Sequence, residues 1–432
     1  MRWAVILGGI AVLAFGCGRS ASSISAQSTV RAGDSVTGVT LPAENLPAAA
    51  RSTENVPVAT LPFEYFRKHI LVTIRIDNAE SHVCMVDNGF NVVVITENAA
   101  HAMGLPFHAM GGKTPNAAGF GEGPGPQTFV VEKVVTLGIP GLPILTGQTY
   151  VLDMAGFEDG LGLHFDCVLG APLFDHYVVE IDYTKRLLKL YEPRIFDYRG
   201  QGHIAPLQVA VPPTVQAEIF TADGKAVKAT LALDLGSDAI FDFQSSFDAE
   251  HHILQAGQAE VPTDMMGLGG LFHMSIVRLP SVEFAGYKLE KPLVAFMHTE
   301  PDASLSANDG YVGNALLRRF TVIFDYSRER VMFEPNSSFG DPFKGNMTGI
   351  KVNPESDPAR GFEVAYVEER SAAAKGGVQE GDRIIEINGV PCSTLLFESF
   401  REMLTVEGAT FTLKAKRGGK EIQTSFQSPR LP

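Results

Sequence analysis

The chain is poor in charge. Only 19% of its 432 residues are Asp, Glu, Lys or Arg, and acidic residues outnumber basic ones, 49 against 35, for a formal balance of −14. No cluster of Lys and Arg interrupts that balance, which excludes the basic face that a nucleic-acid binder sets against phosphates. Beyond the N-terminus no stretch reaches 18 unbroken apolar residues, so no later membrane-spanning helix is expected. Helical patterns are few and short. Three catalytic signatures are also missing: the His-Glu-x-x-His of metal hydrolases, a Gly-x-Ser-Gly nucleophile turn with a suitable His and Asp, and a G-x-G-x-x-G fingerprint between strand and helix. His251 and His252 are adjacent and would point to different faces of a helix, so neither a metal nor a cofactor is expected.

What is present is apolar and turn-rich: 45% hydrophobic residues, 43 Gly and 26 Pro. Such a composition suits short strands and large cores, and the length allows roughly three domains. Residues 1–26 read as an export signal. Arg2 supplies a short basic region, and Ala4–Phe15 is an apolar run too short to span a bilayer comfortably. Leu13-Ala14-Phe15-Gly16-Cys17 is similar to a bacterial lipobox with Cys17 as the lipidated residue, and cleavage after Ala26 by an ordinary signal peptidase is the competing reading. Either way the protein is expected to be exported, to the periplasm or cell envelope, and to meet a membrane only through a lipid anchor. Residues 27–56, rich in Ser, Ala, Thr, Gly and Pro, read as a flexible tether. From Val58 onward short apolar strands take over, and Thr96–Met103 is expected to be helical, with Thr96 as N-cap and Gly104 as C-cap.

The main organising fact is a repeat. An apolar strand runs into Asp-x-Gly at Val83–Gly89, and again at Leu231–Gly236. Asp87 and Asp234 are 147 residues apart. Downstream, Val168-Leu169-Gly170 is matched by Tyr311-Val312-Gly313, and Asp182-Tyr183 by Asp325-Tyr326, each at an offset of 143. Both halves then finish as a hairpin ending in Glu-Pro. Each half also carries a Gly-rich segment, Gly119–Gly123 and Gly267–Gly270, which fits a flexible hairpin tip over a cleft or a plain loop. Cys84 and Cys167 occupy matching places, each three residues before a key position. Two buried small apolar side chains are expected there, with a disulfide as the alternative.

Two carboxyl groups held a few ångströms apart cannot both ionise, so they share one proton. The charged member takes a proton from water while the protonated member polarises a scissile carbonyl. The glycine after each Asp lets the two turns approach closely.

On these residues, 57 to about 340 resembles a bilobal, retropepsin-like aspartyl protease of the exported bacterial type. The resemblance implies a mainly β fold of two lobes, 57–196 and 197–340. It implies Asp87 and Asp234 as the catalytic dyad, and Asn88, Gly89, Gly236 and Ser237 as support for the two turns. It also implies a peptide or protein substrate. The stretch Gly381-Asp382-Arg383-Ile384 to Asn388-Gly389 is similar to a PDZ signature, and the small α+β unit at 345–428 resembles a PDZ domain. There a peptide ligand is expected to add as a strand, with Arg360, Gly361, Phe362, Glu363 and Val364 as the binding residues.

The chain departs from the family pattern, which expects Asp-Thr-Gly or Asp-Ser-Gly followed by Ala or Ser. Asn88 and Leu235 stand at the middle positions, and Phe90 and Ser237 follow the glycines. Asn88 retains a polar brace that Leu235 cannot supply. Ser237 is expected to support the outer oxygen of Asp234, whereas Phe90 offers Asp87 nothing. The alternative to catalysis is therefore a protease-like fold that binds extended peptides without cutting them, as a peptide-binding or adaptor protein.

Overall fold

The computed structural model describes residues 55–432 apart from 78–79, 110–116, 118–120, 122, 134, 140–141, 143–144, 148, 256, 299–307 and 354–355. The export segment with Cys17 and nearly all of the tether lie outside the described residues, as do Gly119, Phe120 and Glu122 of the first Gly-rich segment. Among the described residues no helix is long and apolar enough to cross a membrane.

The protein is mainly β. In the first half, strand Ser81–Val86 leads into Asp87 and lies parallel to Cys167–Leu169, with Val86 opposite Leu169. In the second half, Ala226–Leu233 leads into Asp234 and lies parallel to Gly310–Val312, with Leu233 opposite Val312. The two arrangements are the same. In each, the apolar strand that carries the Asp is flanked by the apolar strand that ends in the later glycine. Burial is complete where these strands meet the turns, at Cys84–Val86, Cys167–Leu169, Leu231–Leu233 and Gly310–Val312, and there the apolar run is unbroken because both faces are covered.

A sheet joins the halves. Val178–Asp182 from the first pairs antiparallel with Phe320–Asp325 from the second, flanked by Leu187–Tyr191 on one side and Arg330–Pro335 on the other. Each hairpin turns at a buried Asp. The Asp325 carboxylate accepts from Ser327 Oγ at 2.6 Å, Arg328 Nη1 at 3.0 Å and Arg330 Nε at 2.9 Å. Asp182 Oδ1 accepts from the Lys185 amide at 2.9 Å. The short helix Glu97–Ala102 forms with Thr96 as its N-cap, the Thr96 hydroxyl accepting from Ala99 N at 3.2 Å.

The C-terminal unit is a separate sheet in the order Ile350–Val352, Phe362–Val367, Arg383–Ile387, Thr410–Arg417, Lys420–Gln427. Ser371 caps the short helix Ala372–Lys375, and Asn388-Gly389 makes the expected turn, both residues at positive φ. Its core gathers Phe362, Ile384, Phe400, Leu413 and Phe411.

Cys84 and Cys167 form a disulfide, whereas two separate buried thiols were expected. The reason is register: Cys84 and Cys167 are direct partners in the parallel pair, with Cα atoms 4.5 Å apart. The bond closes a loop across a separation of 83 residues, and a loop of that length stabilises by about 4 kcal/mol through the unfolded chain. Replacing both cysteines by alanine is expected to remove most of that, read as a lower denaturation midpoint in urea with a steeper slope, since the unfolded chain without the cross-link exposes more surface.

Candidate active site

The dyad position is built from the two parallel pairs. The Asp87 amide donates to Leu169 O at 3.0 Å and the Asp234 amide to Val312 O at 2.9 Å, so each turn begins where its neighbour strand ends. Within each turn the glycine amide holds one carboxylate oxygen: Gly89 N to Asp87 Oδ1 at 2.8 Å, and Gly236 N to Asp234 Oδ1 at 2.9 Å. The chain following each turn is then pinned from behind. Phe90 O accepts from Ala171 N at 2.6 Å, and Ser237 O from Asn314 N at 2.8 Å.

The two carboxyl groups meet. They are near enough for the charge of Asp87 to act on Asp234, and both are fully buried. Among the described residues neither Oδ2 atom has a hydrogen-bond partner. Burial raises both carboxyls above the ordinary carboxylate range, the Gly89 amide opposing it at Asp87 and the neighbouring Asp87 charge adding to it at Asp234. One shared proton satisfies this arrangement. A second negative charge in the same dry volume would not be tolerated. Gly236 is required by contact: a Cβ there would lie 2.2 Å from Asp87 Oδ2.

Asn88 reaches across to the other turn. Its Nδ2 donates to Leu233 O at 3.1 Å and its Oδ1 accepts from Leu235 N at 2.9 Å, so one side chain brackets Asp234 from both sides. Leu235 is fully buried in the apolar core and returns no such bond. The second half is braced instead by Asn314, whose Nδ2 donates to Leu235 O at 2.6 Å. Each Asn is held by the tyrosine of an Asp-Tyr hairpin. Tyr183 OH donates to Asn314 Oδ1 at 2.6 Å, and Tyr326 OH lies 3.4 Å from Asn88 Nδ2. His69 is buried against the second turn, its Nε2 3.0 Å from Gly236 O, and burial lowers its pKa. Sequence reading gave no supporting role to Asn314, Tyr183, Tyr326 or His69. The signal for three of them was present, since Asp-Tyr recurs in both halves and Asn314 stands where the first half has Ala171.

Ser237 does not support the outer oxygen of Asp234. Its hydroxyl accepts from Ala239 N at 3.1 Å, and Asp234 Oδ2 stays without a protein donor. A side chain one residue past the glycine has a nearer backbone amide to cap, and that local bond wins. Phe90 is fully buried in an apolar cluster with Met85, Phe157, Leu268, Phe272 and Tyr311, drawn from both halves.

The Gly-rich segments meet over this cluster. Gly123 N donates to Gly269 O at 2.7 Å, linking the first segment to the tip of the hairpin Val261–Gly267/Gly270–Arg278. A Cβ on Gly121 would lie 2.1 Å from Gly269 C, so the two tips touch by backbone alone. With the tips closed, neither carboxyl has solvent exposure.

Residues 363–417 match the family model of a PDZ domain. The C-terminal unit is a PDZ domain. No curated protein matches the chain. Within the PDZ domain, Phe362–Val367 lies between Ile350–Val352 and Arg383–Ile387, so its backbone is paired on both sides. An incoming strand therefore cannot be added along Arg360–Val364, as the sequence suggested. The outer strands of the sheet are Ile350–Val352 and Lys420–Gln427, and Ile350–Val352 is the one that lies beside Phe362–Val367. Phe362 points into the core, its ring centroid 4.4 Å from that of Phe400. Glu363 pairs with Arg383, and Arg360, Gly361 and Arg383 line an open pocket of about 720 Å³ together with Lys416.

Two outcomes follow from this geometry. Asn88→Ala removes two buried hydrogen bonds to the facing turn and is expected to cost about 2–4 kcal/mol in urea denaturation. The raised dyad sets a pH dependence. Between the unfolded carboxyl pKa near 4 and the raised folded value, the native state binds more protons than the unfolded one, so stability falls as pH rises. Asp234→Asn is therefore expected to raise Tm above wild type at pH 7, with the difference closing as pH falls below about 4.

Proposed function

We propose that this chain is an aspartic endopeptidase in which Asp87 and Asp234 activate water against a peptide carbonyl, and that its PDZ domain binds substrate or partner peptides. The observation that carries the reading is the meeting of two buried carboxyl groups, each with a glycine amide on Oδ1 and a free Oδ2. The ionised carboxylate takes a proton from water as the water oxygen bonds to the carbonyl carbon, and the protonated partner donates to the carbonyl oxygen. Collapse of that intermediate breaks the C–N bond as the amide nitrogen gains a proton. No metal or cofactor takes part in this proposal. Export to the periplasm or cell envelope, with Cys17 as the lipidated residue, belongs to the same proposal and is supported by the Cys84–Cys167 disulfide, since such bonds persist in oxidising compartments.

A second reading is that the fold binds extended peptides without cutting them. Phe90 in the apolar cluster and the missing hydroxyl at Leu235 favour it. Hydrolysis of an unfolded protein by the purified chain, followed from acid to neutral pH, separates the two. Loss of activity in both Asp87→Asn and Asp234→Asn is the expected result. Activity untouched by either substitution, or none in wild type under any condition, leaves the binding reading. For the PDZ domain, peptides with free C-termini are expected to bind the chain more tightly than their amidated forms, and equal affinities would argue against carboxylate capture.

A further inference from the structure

The hairpin that closes over the dyad is held from outside the protease-like halves. Asp264 lies midway along its first strand, Val261–Gly267, and has no solvent exposure. Its carboxylate is shared between His273 of the same hairpin and the Tyr366 hydroxyl of the PDZ domain. Its backbone carbonyl accepts from Lys351 Nζ, also of the PDZ domain. The base of the hairpin is tied as well, since Arg278 forms an ion pair with Glu407 in the PDZ domain. Burial lowers the Lys351 pKa and raises that of Tyr366, as desolvation at a closed interface would. On the first half, the Arg67 guanidinium lies 5.1 Å from the ring centroid of Phe397, on the PDZ helix Phe397–Met403. Lys351 sits on Ile350–Val352, an outer strand of the PDZ sheet with a free edge.

We infer that the PDZ domain is a latch on the hairpin over the dyad, holding it shut through Asp264, Tyr366 and Lys351, so that access to Asp87 and Asp234 requires this contact to break. The consequence for substrate entry rests on the proteolytic reading, but the latch itself does not. The hairpin tip reaches Gly123, and its Leu268 and Phe272 pack with Phe90 next to the first Asp turn, while its middle and base are gripped by the PDZ domain. Movement of the PDZ domain therefore moves the lid. The strand whose edge is open to an added peptide also carries one of the gripping residues, which couples the two events in one element.

Hydrogen exchange on the full chain tests this without reference to activity. In Tyr366→Phe combined with Lys351→Met, amides of Val261–Arg278 are expected to exchange roughly tenfold faster than in wild type, with Ser81–Val86 unchanged. Should the double variant lose its cooperative melt, Glu407→Gln, remote from Asp264, is expected to accelerate the same segment. Unchanged exchange at Val261–Arg278 in a folded variant overturns the latch. A short unstructured peptide substrate supplies the second arm, with kcat/KM expected to rise in the double variant. Faster exchange with no hydrolysis by any form leaves the latch standing and removes the proteolytic reading. Hydrolysis abolished by Asp87→Asn but indifferent to the latch variants, with exchange unchanged, does the reverse.

Discussion

Two acidic side chains brought together in a dry interior repel each other unless they share a proton, and holding them in place is the constraint around which the rest of this molecule is arranged. Neither half can build the pair alone. Each supplies one Asp at the end of a buried strand, one glycine amide for the inner oxygen, and one flanking strand to receive the turn's own amide. The approach is so close that a methyl group at Gly236 would strike the carboxyl opposite. The desolvation of the pair is offset by apolar packing on both sides of the turns and by a hydrogen-bond lattice of neutral side chains.

That lattice is asymmetric. Asn88 does from one side what a pair of hydroxyls would do from two, and Asn314 takes the opposite carbonyl from behind. Amides suit the work because each offers a donor and an acceptor on one planar group. The tyrosines that hold the two Asn side chains come from the hairpins forming the sheet between the halves, so the joint between halves and the support of the turns are one structure. Leu235 completes the exchange: what is lost as a hydrogen bond at that position is replaced by apolar burial.

The mainly β architecture was legible because it rests on local signals. Apolar strands, Asp-x-Gly turns and polar hairpins announce themselves within a few residues, and their recurrence at nearly one offset gave the correspondence between halves. The PDZ unit was legible from its Gly-Asp and Asn-Gly turns. What escaped reading depends on which residues face each other across space. Nothing adjacent to Ser237 says that its hydroxyl prefers Ala239 N. Parallel pairing placed Cys84 beside Cys167, and sequence spacing alone does not fix that pairing. That Phe362–Val367 is an inner strand of the PDZ sheet escaped reading because strand order, unlike strand existence, is a long-range property. The grip of Tyr366 on Asp264 spans 102 residues and two domains, with no local pattern to mark it.

The sheet that joins the halves has a consequence for how the chain is made. Val178–Asp182 pairs on one edge with Leu187–Tyr191, close by in sequence, and on the other with Phe320–Asp325, 139 to 145 residues later. During synthesis from the N-terminus, the first half reaches its full length with an apolar strand edge still unpaired, and that edge waits for most of the second half to emerge. An exposed strand edge is a template for joining another chain. The interval between completing Tyr191 and completing Asp325 is therefore the period in which this protein is most prone to self-association.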